Sequence, residues 1–246
     1  LHYDFEVLTL RESLEFPVYL VNIPGLFDRP EVYSYEDDVE RFLAFQLAVL
    51  DWMIHLEKKP SIVHAHDHQT GFLAFLMSHA TAFNTLREIP TVFTIHNAQY
   101  QGQFGYDKLM YFPEFDLKKM GFIDWDVVIN PLATAIKCSW KVTTVSPGYL
   151  EELKSNANGL EELINQESEK FSGILNGIDT RVWNPEKPFT HTQARPPIAE
   201  INAIKNMIDL ADKAEFIGIL HICHISLPES VEVLEKAREH VSFRLT

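Results

Sequence analysis

Ser61 to Gly71 reads SIVHAHDHQTG, and this stretch decides the fold. Ser61 to His66 predicts a short strand. The Asp67-His68-Gln69-Thr70 that follows predicts a polar loop, and Gly71 to His79 predicts a helix. Strand, polar loop and helix in that order is how an open α/β sheet presents side chains at the carboxyl ends of its strands. Two further stretches, TVFTIHNAQYQG (91–102) and GILNGIDTRVWNP (173–185), also join an apolar run to a loop dense in Gly, Asn, Asp or His. A third, KVTTVSPGYLEEL (141–153), runs from a strand into a helix start, with Ser146 as cap and Pro147 at the first helical position.

Outward from these, Pro17 to Ile23 predicts a strand and Tyr35 to Leu56 one long helix. That helix carries Glu36, Asp37 and Asp38 in its first turn, where acids suit the helix dipole. Phe42, Phe45, Val49, Trp52 and Leu56 then recur at spacings of three and four, giving one apolar stripe. Thr91 to Ile95 predicts a strand, Asn130 to Ser139 a helix, Lys141 to Val145 a strand and Pro147 to Leu153 a helix start. Ser172 to Leu175 predicts a last short strand, ending at the turn pair Asn176-Gly177. The alternation predicts an α/β fold with a Rossmann-like, doubly wound, mostly parallel sheet. No GxGxxG fingerprint is present. After Pro185 the pattern changes. Lys187 to Pro197 is polar and Pro-rich, and helices at Ile198–Ala211 and Pro228–His240 flank a strand within Phe216–Ile225. The expected organisation is a domain over residues 1–185, then a linker and βα tail over 186–246.

With 21 basic against 35 acidic residues, the net charge of −14 argues against nucleic acid or an anionic membrane as partner. No segment has the length and apolarity of a transmembrane helix, and Leu1 opens no signal peptide. The absence of an initiator Met implies a fragment or a processed product. Cys138 and Cys223 make no metal-binding spacing; the pair allows a single disulfide, but two free thiols in a reducing cytoplasm are the expected state.

Two clusters of residues point to chemistry. On an extended strand His64, His66 and His68 share one face, so three imidazoles converge as metal ligands do. The HxHDH spacing is one residue short of the HxHxDH loop of metallo-β-lactamase-type hydrolases, with His221 and His224 as the formal second half. The plainer alternative is a set of imidazoles hydrogen-bonded at a strand end. His96 and Asn97 stand where an apolar strand meets a loop and offer directed hydrogen bonds to hydroxyls, while Tyr100 offers an aromatic face. The plainer alternative there is a polar turn permitted by Gly102.

Together the four stretches resemble the N-terminal catalytic domain of the starch and glycogen synthases, from roughly Glu15 to Pro185. Phe27-Asp28-Arg29-Pro30 with Tyr33, and Asp37 to Phe42, resemble the family's segment before the cleft strand. The resemblance implies the N-terminal half of a two-domain GT-B glycosyltransferase. It implies glucosyl transfer with retention from a sugar nucleotide, ADP-glucose, to the non-reducing end of an α-1,4-glucan such as glycogen or starch. It implies no metal and no other cofactor. His96 and Asp67 would be catalytic, and His68, Gln69, Asn97, Tyr100, Gln101 and Asn176 would bind substrate. Two family features are not found. The Lys-x-Gly-Gly loop would precede Leu1, and no pattern after Pro185 supplies the second domain's Arg, Lys and Glu. The chain alone is therefore expected to have little or no transferase activity. A metallohydrolase using His64, His66 and His68, and a non-catalytic glucan-binding module, stand as the alternative functions.

Overall fold

A computed structural model describes residues 3–9, 16–179, 197–214, 216–222 and 225–245. Trp183, the expected boundary at Pro185, Arg195, Cys223 and His224 lie outside the described residues. The chain divides into two compact units, Leu1–Asn176 and Gly177–Thr246.

The first unit opens with an antiparallel pair, β1 (Glu6–Thr9) and β2 (Tyr19–Asn22). Helix α1 (Asp38–His55) follows, three residues shorter at its start than the apolar pattern predicts. The reason is local. Ser34 takes a left-handed φ of 80°, and the Asp38 carboxylate accepts the N–H groups of Ser34 (2.6 Å) and Tyr35 (3.1 Å). That folds the preceding turn back outside the helix. Arg41, 1% exposed, donates to Leu26 O and Asp38 and lies over the Tyr35 ring. Asp37 pairs with Arg29 instead of standing free in water, and that bond holds its carboxyl below the usual range.

Next come β3 (Val63–His66), α2 (Leu73–His79), β4 (Thr91–Ile95), the small hairpin β5 (Asp124–Trp125) and β6 (Val128–Ile129), and α3 (Pro131–Cys138). The unit ends with β7 (Lys141–Thr144), α4 (Pro147–Leu153), α5 (Glu161–Gln166) and β8 (Phe171–Gly173). Strands β3-β4-β7-β8 pair in chain order and all in parallel, one wing of a doubly wound sheet. Register explains the two faces. Ala65, Phe93, Val142 and Phe171 form one row across the sheet, and all are buried in the main core with Leu76, Leu132, Ile136 and Ile164. The next row, His66, Thr94, Thr143 and Ser172, lies on the opposite face and is polar throughout. Cys138 packs against this core as a free thiol, and its burial pushes its pKa up to about 12, so it is inert near neutral pH.

Ser146 and Pro147 start α4 as the sequence predicts, with Ser146 Oγ accepting the Tyr149 N–H at 2.9 Å. The helix start rests directly on β8. A Cβ at Gly173 would stand 2.5 Å from Pro147 N and Ser146 O, both backbone atoms that no rotamer change can move. We expect Gly173→Ala to destabilise the unit by about 1–3 kcal/mol. The measurement is the urea midpoint, which should fall with little change in slope. A midpoint equal to the parent's would mean that β8 and α4 do not pack this closely.

The second unit contains α6 (Pro197–Lys213), β9 (Ile219–Leu220), α7 (Pro228–Arg238) and β10 (Arg244–Leu245). β9 and β10 pair in parallel, and Ile204, Ile208, Leu234, Phe243 and Leu245 form its core. The Glu200 carboxylate ties its elements together by accepting from Ser226 N, Leu227 N and Ser230 Oγ.

Candidate functional site

The carboxyl end of β3 is fixed by an unusual residue. Asp67 has φ 55° and ψ 175°, a backbone conformation that only glycine adopts without strain. Hydrogen bonds from its backbone and its side chain hold it there, one of them from Thr70 Oγ1 to its carbonyl (3.3 Å). Its N–H donates to Thr94 O (3.0 Å), its carbonyl accepts from Thr70 N (3.0 Å), and its carboxylate Oδ1 accepts the His96 N–H (2.9 Å). Asp67 therefore links the ends of β3 and β4 through both backbone and side chain.

The same conformation ends the strand alternation. His64 and His66 stay on the polar face with ring centroids 4.3 Å apart, but His68 turns away and packs edge-on against Phe42. The expected convergence of His64, His66 and His68 is thereby corrected. Among the described residues, no group of three or more His, Cys, Asp or Glu is arranged to hold a metal ion. The metallohydrolase reading loses its ligand set.

The loop after β4 is built by short-range bonds. Asn97 Oδ1 accepts the Gln99 N–H (3.0 Å), and Ala98 N donates to the Tyr149 hydroxyl (3.1 Å). Gly102 takes φ 69°, and a Cβ there would stand 2.6 Å from His68 Cδ2, so glycine is needed both for the turn and for the close approach of His68. Gln101 lies beneath the loop, 4% exposed. Its amide donates to the carbonyls of Ala98 (3.3 Å), Ala157 (3.3 Å) and Asn158 (2.8 Å), while its oxygen accepts from Asn130 (2.8 Å) and Gln103 (3.0 Å).

Two cavities flank this loop. The larger, about 530 Å³, has aromatic walls that include Tyr33, Phe42, Tyr100 and Phe104. Asp67, His68, Gln69 and Asn97 are among its polar groups, with Asp38, Gln46 and Gln103. The smaller, about 330 Å³, is mainly polar and includes His96, Asn97, Tyr149, Glu152 and Asn158. Of the residues picked from sequence, Asp67, His68, Gln69, Asn97 and Tyr100 thus meet around one cavity, and His96 and Asn97 border the other. Gln101 lines neither, and its amide is bonded to protein groups. Asn176 is exposed three residues beyond β8 and lines neither. Phe104 and Asn158 carried no sequence signal, and Tyr33, Phe42, Tyr149 and Glu152 read there as structural. The signal available for Tyr33 and Phe42 was their place in the segment just before the cleft strand.

Burial lowers the pKa of His64, His66 and His68, with neighbouring imidazoles adding to the effect at His64 and His66. His68 Nδ1 is buried with no hydrogen-bond partner, which disfavours its charged form further. A group whose folded pKa is depressed takes up its proton first in the unfolded chain. Its contribution is complete above the unfolded value of about 6.5 and is lost as pH falls through the folded values. Stability should therefore decline as pH falls below about 6.5. His68→Gln should flatten that decline, as read from urea midpoints across the range. An unchanged pH slope in the variant would remove His68 from this account.

Residues 2–166 match the family model for the starch synthase catalytic domain. The chain belongs to that family. It is 53% identical over 189 residues to a glycogen synthase of Flavobacterium johnsoniae, covering 76% of this chain and 40% of the relative. A glycogen synthase of Halalkalibacterium halodurans is 37% identical over 183 residues, with 71% and 38% covered. Among solved structures, the chain is similar to the catalytic domain of starch synthase IV from Arabidopsis thaliana bound to ADP and acarbose. The TM-score is 0.67 and the identity 28%, over 99% of this chain and 54% of that one. The fold is that of the N-terminal half of a GT-B glycosyltransferase. The family match includes the Asp67, His96 and Ser146 loops, whereas Gly173 to Pro185 falls after it. The chain spans about two fifths of the length of these two glycogen synthases. Among the described residues, no helix is long and apolar enough to cross a membrane.

Proposed function

We propose that this chain supplies the acceptor side of a glucosyl-transfer site. In a protein of its relatives' length, glucose would pass from ADP-glucose to the non-reducing end of an α-1,4-glucan with retention of configuration. One observation carries the reading: an aromatic-walled cavity of about 530 Å³ opens at the ends of β3 and β4 and is rimmed by Asp67, His68, Gln69 and Asn97. Sugar rings present apolar faces to aromatic walls and hydroxyls to directed polar groups, and this cavity offers both. The glucan end would lie along Tyr100, with its hydroxyls on Asn97, Gln69 and His68. His96, on the same loop, would stand beside the transferred glucose. Asp67 would orient that loop and place negative charge near the oxocarbenium-like centre that forms as the nucleotide departs. Gln101 and Asn130 hold the loop from below, and Asn176 belongs to the donor side in this reading. The choice of ADP-glucose is supported by the relatives, since a synthase in this family has been solved with ADP.

The test is calorimetric titration of the chain with maltohexaose and, separately, with cellohexaose. Maltohexaose should bind and cellohexaose should not. Tyr100→Ala should weaken binding by about five- to tenfold, the loss of one aromatic contact. Equal binding of both sugars, or maltohexaose binding that ignores Tyr100→Ala, would count against the cavity as the acceptor site.

A further inference from the structure

The polar row of the sheet holds a feature that the proposed reaction does not use. His66, at the end of β3, places Nδ1 3.0 Å from His96 Nε2, with ring centroids 5.3 Å apart. Beside it a separate chain runs from His64 Nε2 to Thr94 Oγ1 (2.7 Å) and on to Thr143 Oγ1 (2.6 Å). A nitrogen–nitrogen contact at hydrogen-bond distance contains one proton, so one ring must donate and the other accept. Neutral imidazole favours the proton on Nε2. Both rings keep that form only if His96 Nε2–H donates and His66 Nδ1 accepts.

We propose that His66 is a positioning residue for His96: by accepting the His96 Nε2–H bond it fixes the ring and leaves His96 Nδ1 as an unprotonated acceptor for a sugar hydroxyl. This rests on the reading of His96 as the group beside the transferred glucose. The backbone alone does not achieve it. The bond from His96 N–H to Asp67 Oδ1 anchors the main chain, but the ring still turns about its side-chain torsions. His66 supplies the second point of attachment.

The arrangement has a built-in pH limit. The lone pair that His66 uses to accept the bond is the one a proton would take. Protonated His66 would face His96 with N–H against N–H, and the bond would be lost. The titratable groups facing His66 are His64 and Asp67 from its own strand and loop and His96 from the loop after β4. From β7 and β8 its row offers only the hydroxyls of Thr143 and Ser172. Burial, then His64 and His96, lower the His66 pKa, and Asp67 opposes them only in part, so the accepting form persists at neutral pH.

The experiment is imidazole NMR on the nitrogen-15-labelled 246-residue chain. A nitrogen–nitrogen coupling across the hydrogen bond from His96 Nε2 to His66 Nδ1 is expected near neutral pH. It should vanish as the sample is acidified and His66 titrates. In His66→Ala the coupling must be absent, and the His96 Nε2 proton should exchange with solvent about tenfold faster, the loss of one hydrogen bond. His66→Asn, whose side-chain oxygen can accept in place of Nδ1, should restore slow exchange and remove its dependence on acid. Backbone amide spectra of both variants establish that the sheet is intact. A parent His96 that shows no coupling, or exchange that is the same in the parent and in folded His66→Ala, would overturn the proposal. Maltohexaose titration of the parent chain separates this from the functional reading. Absent glucan binding would sink that reading while leaving the His66–His96 bond as measured.

Discussion

Gln101→Leu is expected to destabilise the first unit by about 4 kcal/mol, although leucine is apolar, similar in size and enters a buried position. Burial of a larger apolar surface does not decide the outcome, because the partners left behind are polar and three of them, on Ala98, Ala157 and Asn130, belong to buried residues. Removing the amide strands the carbonyls of Ala98 and Asn158 and leaves that of Ala157 with the Leu160 N–H alone, and removing the oxygen takes the acceptor from the side-chain N–H groups of Asn130 and Gln103. Each buried group left unpaired costs about 1–3 kcal/mol, and those reached at 3.3 Å lie at the low end. Asn130 matters most, since it is fully buried and its own oxygen caps α3 through the Ala133 N–H. Gln101→Glu makes the sharper comparison. It keeps the size and one acceptor but removes the donor to three carbonyls and places a charge in a buried site. Both variants should lower the urea midpoint steeply and loosen residues 96–102 and 156–159 together, as followed by amide exchange. A variant that unfolds at the parent's midpoint would show that water readily replaces the network.

The same network is not written in any local stretch of the sequence. Gln101 stood in a recognisable loop and so read as a ligand. Burial by Asn130 and by the turn at Ala157–Asn158, which lie 29 to 57 residues further on, is a tertiary fact that no local pattern carries. Strands β3, β4 and β7 were legible because apolar runs meet Gly-, Asn- or Pro-bearing loops, and Ser146-Pro147 set the start of α4 by its own chemistry. Residues 103–129 were not. They form short 3-10 turns and the β5–β6 hairpin, whose two turn residues, Asp126 and Val127, both take positive φ. An Asn-Gly pair there would have announced a hairpin, whereas Asp-Val does not. His68 failed for a related reason. Period-two reasoning holds only while the strand continues, and Asp67 ends it with a conformation usually reserved for glycine.

That conformation makes Asp67 the position where stability and activity should separate. Asp67→Ala loses the bond to His96 N–H and keeps the strained backbone, so it should be destabilised by about 2 kcal/mol. Asp67→Gly loses the same bond but relieves the strain, and should be more stable than the alanine variant by about 1–2 kcal/mol. Asp67→Asn keeps an oxygen for His96 N–H and should fold nearly as well as the parent. Glucosyl transfer, measured in a protein of the relatives' full length, should follow a different order. If the carboxylate acts on the positive charge of the transition state, all three variants should lose about a hundredfold or more in turnover, the asparagine variant included. If Asp67 serves only to pin the loop, asparagine should retain most of the activity and glycine should rank above alanine, in step with stability. The two orders cannot both hold, so three variants measured by urea midpoint and by initial rate decide which role the carboxylate has.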